Sequence, residues 1–296
     1  MNSDIKAAMD HLFAGRFQAA HAAAQSVLKE DPKAFEAVLV LAAIAAEHGN
    51  EPGTAKLCRL VREAGHESCW LAVLEARAAL MRQDADTARE RAEAASNMGS
   101  QDPHIANQLG VVLSRTGRHG QAVPPFRIAA EGAPANPDYH YNLAIALQFN
   151  GALAEARAEF ERLVELQPDH AKGWLALAQL AESPQPGWAG HLADLFEATG
   201  DTETRLALGH ALARLAELEQ HWDASLAWLD RAKEAKARET AHDRAGVERM
   251  VDAAIASAQA ARIGDNPAGD QRPIIVVGMP RSGTTLVERI LSSHPR

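Results

Sequence analysis

The chain has 296 residues, enough for two ordinary domains or one long repeat array, with 47% hydrophobic residues, 5% aromatics and a net charge of −9. That acidic balance excludes a nucleic-acid footprint, and two cysteines, Cys58 and Cys69, are too few for a disulfide framework. The N-terminal residues lack the long apolar core of a signal peptide, and the longest apolar run, 37–46, is too short to span a bilayer, so the expected place is the cytoplasm.

From the first residues onward the chain repeats itself. Gly15, Gly49, Gly117 and Gly151 are separated by 34 residues or a multiple of 34. Ala8, Ala42, Ala76, Gly110, Ala144 and Ala178 keep the same spacing, as do Ala20, Ala88, Ala122 and Ala156, and Pro32, Pro134 and Pro168. Each unit reads as two antiparallel helices. Small residues at the eighth and twentieth places let the helix axes approach. The glycine between them ends the first helix in a left-handed conformation, and the proline stops the second. Leu41, Leu109, Leu143 and Leu177 fill the seam beside the small position, and Phe126 and Phe160 do so from second helices. Asp102-Pro103 and Asn136-Pro137 read as an N-cap followed by a first-turn proline.

Units four and five, 103–136 and 137–170, fit best. The second carries Pro52-Gly53 at the start of its second helix, and the third has Gln83 where glycine belongs. The sixth is interrupted by Ser-Pro-Gln-Pro-Gly at 183–187, which displaces its second helix to about 188–199. A seventh pair fits 203–238 with a shifted register. This pattern resembles the tetratricopeptide repeat (TPR). The resemblance implies an all-α fold, a right-handed superhelical solenoid of antiparallel helix pairs, with an array over 1–240. In such arrays the first helices line a concave groove. The family's groove positions fall here on Trp70, Arg77, His104, Asn107, Arg115, Tyr141, Gln148 and Phe149, a polar and aromatic set that suits a peptide or protein partner.

Residues 241–263 read as one further amphipathic helix, with Val247, Met250, Val251, Ala254, Ile255 and Ala258 on one stripe, suited to capping the array. A polar linker follows at 264–272.

The last segment, 273–296, carries the chemistry. Ile274, Ile275, Val276 and Val277 form a short β-branched run that predicts a buried strand. Gly278-Met-Pro-Arg-Ser-Gly283-Thr-Thr285 predicts a loop that feeds a helix from about Thr284 to Ser293. Free amides and the positive dipole end of that helix face the loop, so a phosphate or sulfate fits there. The spacing approaches GxxxxGK[ST], but Thr284 stands where the lysine of a nucleoside triphosphatase belongs. The strand, PRSGTTL and SSHP in register resemble the 5′-phosphosulfate loop of sulfotransferases that use PAPS (3′-phosphoadenylyl sulfate), most closely the bacterial branch that follows TPR arrays. The resemblance implies that Ser282, Gly283, Thr284 and Thr285 bind the 5′-phosphosulfate through backbone amides. It also implies that Arg281 neutralises charge near the transferring sulfuryl group.

In related enzymes the general base and the 3′-phosphate site lie beyond the HP segment. The chain is therefore expected to be the protein-interaction region of a sulfotransferase acting on a hydroxyl or amine of a protein or glycan, truncated just after the loop and inactive alone. No catalytic residue is assigned. A freestanding TPR scaffold with a vestigial loop is the alternative. The thirteen histidines are scattered without HExxH or a CxxC-linked set, so no metal is expected. His140, Trp174, Trp188, Trp222 and Trp228 are expected to pack in the core.

Overall fold

A computed structural model describes residues 3–239, 243–260 and 284–293. The chain forms two compact units, 1–240 and 241–296. In the first, helices alternate in pairs: α1 (Ser3–Phe13) with α2 (Phe17–Glu30), α3 (Phe35–Glu47) with α4 (Glu51–Glu63), and α5 (Cys69–Met81) with α6 (Ala85–Met98). The order continues with α7 (Pro103–Arg115) and α8 (His119–Gly132), then α9 (Pro137–Phe149) and α10 (Leu153–Leu166). The last pairs are α11 (Ala171–Leu180) with α12 (Trp188–Ala198), and α13 (Thr202–Leu218) with α14 (Trp222–Glu239). All are helical with no strand among the described residues, and each pair packs on the next as a solenoid. The predicted seventh pair starts one residue early, and the displaced second helix of the sixth pair is α12.

The repeat is visible in the hydrogen bonds. At the end of α1 the N–H of Gly15 bonds the Leu12 carbonyl and that of Arg16 bonds the His11 carbonyl, a Schellman ending. The same pair of bonds closes α3 at Gly49 and Asn50, α7 at Gly117 and Arg118, and α9 at Gly151 and Ala152. Gln83 closes α5 in the same way at φ 62°, and Gln220 closes α13 at φ 61°. The register holds even where the glycine is lost, so Gln83 carries backbone strain. Replacing Gln83 by Gly is expected to raise stability by about 0.5–1 kcal/mol, the left-handed penalty less the added freedom of the unfolded glycine. Urea unfolding of the two proteins checks it; an unchanged midpoint would argue that the turn bears no strain.

First helices are capped at the same period. Ser68, Asp102, Asn136 and His170 each accept a backbone N–H at the start of α5, α7, α9 and α11. Sequence patterns identify Asp102 and Asn136; His170 is less obvious, because a capping imidazole must present an unprotonated nitrogen. Its Nδ1 accepts the Gly173 N–H at 2.9 Å, and burial holds its pKa below the ordinary histidine value.

Small residues meet at the seams as expected. Ala8, Ala42, Ala76, Ala144 and Ala178 are fully buried, and so are Ala20, Ala88, Ala122 and Ala156. Thr54 takes the twentieth place of the second repeat, where its buried hydroxyl donates to the Asn50 carbonyl at 2.9 Å. Gly110 sits against the Phe126 ring. Two buried clusters result, one running from Ile5 to Leu74 and one from Cys69 to Ala232, and Ile105 packs against both. Pro124 and Pro125 lie inside α8, where each removes a ladder donor; the repeat register gives no sign of them.

His140 and Trp174 are buried as predicted. The His140 ring bridges the Glu159 carboxylate at 2.6 Å and the Pro134 carbonyl at 3.1 Å. Trp188 and Trp228 pack against the core. Trp222 does not: as the first residue of α14 it is 61% exposed, because the shifted register of the last pair turns that position outward.

In the second unit, α15 (Arg244–Ala260) exposes Val247, Met250, Val251 and Ile255, and α16 (Thr284–Ser292) exposes Leu286 and Val287. The predicted linker 264–272 and the strand residues Ile274–Val277 lie outside the described residues.

Candidate functional site

First helices of successive repeats place six of the eight predicted groove residues along three cavities. Arg77, Asn107 and Arg115, from α5 and α7, line one cavity of about 470 Å³ with Glu47 and Gln108. Arg77 is held by Glu47 at 2.8 Å. Arg115 has no carboxylate partner among the described residues. The Gln108 Oε1 atom is buried with no hydrogen-bond partner among the described residues, an acceptor whose desolvation none of them offsets.

A neighbouring cavity of about 420 Å³ is lined by His104, Asn107, Gln108, Phe13, Tyr139 and Asn142 among others. Asn142 Nδ2 donates to Asn107 Oδ1 at 2.9 Å, tying α9 to α7. The Tyr139 hydroxyl meets His104 Nδ1. Burial lowers the His104 pKa, while Asp102 and Asp10 oppose that shift. Phe13 stacks on His104 with ring centroids 4.0 Å apart, so the end of α1 reaches α7.

Tyr141 and Gln148 line a third cavity of about 470 Å³, with Ile145, Leu175, Leu206 and His210. This part of the groove is more apolar. Phe149 stands outside these cavities, 68% exposed and stacked on His119 at 4.4 Å.

Trp70 corrects the sequence reading. It is 4% exposed and belongs to the core, because Phe13 packs over it with centroids 6.3 Å apart. That contact joins the first repeat to the third, and a register that treats repeats as equivalent cannot report it. The same reasoning missed Glu47, Gln108 and Asn142. An i, i+35 asparagine pair, Asn107 and Asn142, is the one signal in the sequence that pointed to the last of these.

At the far end, Arg281, Ser282 and Gly283 lie outside the described residues. Thr284 and Thr285 are the first two residues of α16, so the free amides of that helix stand next to the predicted loop. No group of His, Cys, Asp and Glu able to hold a metal occurs among the described residues, and no helix there is long and apolar enough to cross a membrane.

Family comparisons agree with the repeat architecture. Two tetratricopeptide-repeat family models match residues 5–66 and 73–137, and residues 113–180, together more than half of the chain. The chain is a tetratricopeptide-repeat protein. A Sulfotransferase family model matches residues 273–296 of this TPR protein, the segment that holds the predicted loop. An uncharacterized protein of Aquifex aeolicus is 26% identical over 218 residues, which is 71% of this chain and 28% of the relative. The chain thus spans little more than a quarter of the length of that curated relative. Among solved structures, the C-terminal part of a TPR repeat-containing protein from Cytophaga hutchinsonii is 14% identical, covering 76% of this chain and 94% of that one at a TM-score of 0.47. A thermophilic TPR protein from Thermus thermophilus is 17% identical, covering 60% and 97% at a TM-score of 0.45.

Proposed function

We propose that the chain is the TPR region, together with the opening phosphate loop, of a PAPS-dependent sulfotransferase, and that the array holds a peptide or protein partner for it. One observation carries this reading: the Sulfotransferase family match falls on PRSGTTL, next to the N-terminus of α16. The amides of Ser282, Gly283, Thr284 and Thr285 would hold the 5′-phosphosulfate, with Arg281 offsetting its charge. Transfer of a sulfuryl group to a hydroxyl or amine of a protein or glycan needs positioning and charge stabilisation above all, and amides at a helix start supply both without reorganising. Two buried cysteines, Cys58 and Cys69, both free thiols, suit a reducing compartment such as the cytoplasm.

The groove supports the partner half of the reading. Arg115, with no carboxylate partner among the described residues, offers a cation beside Asn107 and Gln108 in one cavity, which suits a peptide with a main-chain or carboxylate acceptor in reach. On a peptide array, the Arg77→Ala/Arg115→Ala protein is expected to bind its best peptides about tenfold more weakly. Unchanged binding would remove the groove from the proposal. The enzymatic half is tested on the full-length protein by sulfuryl transfer from PAPS; a full-length protein that binds neither PAPS nor its 3′,5′-bisphosphate product would overturn it.

A further inference from the structure

Away from the groove, four arginines converge. Arg59 and Arg62 of α4, Arg82 at the end of α5 and Arg91 of α6 line a cleft of about 220 Å³ with Cys58, Glu75 and Thr87. None of these residues lines the groove cavities. Glu75 is the one carboxylate in that lining, and its side chain is 15% exposed.

The four guanidinium groups are unequally committed. Arg62 clamps Glu75 with two donors, Nε at 2.7 Å and Nη2, and gives Nη1 to Glu67 at 2.8 Å. Arg91 Nε stands 3.8 Å from Glu75, too far for a hydrogen bond, and its other contact is Glu90, which is 69% exposed. Arg82 donates one hydrogen bond to Glu51 at 3.3 Å and one to Asp84 at 3.2 Å. Arg59 has no acidic partner among the described residues. Glu75 is thus the one carboxylate of the lining, Glu51, Glu67, Asp84 and Glu90 pairing with the arginines from outside it, and among the described residues Arg59 spends no donor on a carboxylate.

Four arginines around one small cleft suit an acceptor with more oxygens than the two of a carboxylate. We propose that this cleft binds a tetrahedral oxyanion, the sulfate or phosphate group of a monoester. Cys58 on its wall is held protonated by burial, with Glu75 adding to the effect. The site stands apart from the sulfotransferase reading, and neither depends on the other.

The test is a titration of the full chain with inorganic sulfate, inorganic phosphate, methyl sulfate and methyl phosphate, at ionic strength matched with sodium chloride. Binding is read from the arginine Nε–H signals in NMR. Saturable shifts at Arg59, Arg82 and Arg91 are expected with the free ions and with at least one ester, and which ester binds more tightly separates the sulfate from the phosphate source. Arg59 is exposed and has no acidic partner among the described residues, so Arg59→Ala leaves the fold intact, and it is expected to weaken binding roughly tenfold. Glu75→Gln removes the competing charge and is expected to tighten binding severalfold; Arg59→Ala decides the matter should that variant fail to fold. Shifts that chloride reproduces, equal affinity in Arg59→Ala, or binding of free ions with neither ester would each overturn the proposal.

Discussion

Replacing Phe160 by Ala is expected to cost about 3–5 kcal/mol, the range for removing a fully buried aromatic side chain. Phe160 is 0% exposed in the seam of the fifth repeat, with the Tyr141 ring edge-on at 6.2 Å. The loss combines transfer of the ring with a cavity that α9 and α10 cannot close, since fully buried Ala144 and Ala156 already bring their axes together. In an array whose units lean on their neighbours, a weak fifth repeat also undermines the α8–α9 and α10–α11 interfaces. Urea unfolding should show the loss, and hydrogen exchange should show it concentrated in α9 and α10 while α3 and α5 stay protected. A loss below about 1 kcal/mol would mean that the seam collapses onto the vacancy.

Gly110→Val is expected to destabilise by about 1–3 kcal/mol, although valine is a better helix former than glycine. A β-carbon at Gly110 would lie 2.5 Å from Phe126 ring atoms, so the ring must leave its place or α7 and α8 must part. Phe126 is 3% exposed and has little room to move. Overpacking therefore outweighs propensity here. Gly190, in α12, is the control: nothing lies within 4 Å of its β-position, and Gly190→Ala is expected to gain up to about 1 kcal/mol. In a Gly110→Val/Phe126→Ala double variant the two losses should be less than additive, because the truncated ring makes room. Additive losses measured by thermal or urea unfolding would place the strain elsewhere.

The fold was largely legible because its constraints are local and repeat. The left-handed position after the first helix of each of the first five repeats, the small pairs at most of their seams and the Asp102 and Asn136 caps recur at 34 residues, and each favours one backbone outcome. Even Gln83, the wrong residue for its turn, takes the conformation that the register demands. What sequence reasoning missed depends on contacts between distant repeats or on a broken register. Trp70 occupies a groove position by count, yet Phe13 from two repeats away covers it. Trp222 follows the irregular sixth repeat, and a shift of one residue turns a core position into an exposed one. For the candidate site, the residue types were readable at Arg77, Asn107 and Arg115, whereas the unsatisfied oxygen of Gln108 depends on what surrounds it.

The contact of Phe13 with His104 ties the first helix of the array to the seventh. A strict line of repeats frays from its ends, because each terminal unit has one neighbour. Here the first repeat has a second anchorage three repeats on, and the intervening helices are held as in a clasp. Phe13, His104 and Tyr139 also form part of the wall of a groove cavity. Closing the clasp and shaping that cavity are then one equilibrium: whatever fills the cavity also steadies α1, and whatever loosens α1 reshapes the cavity.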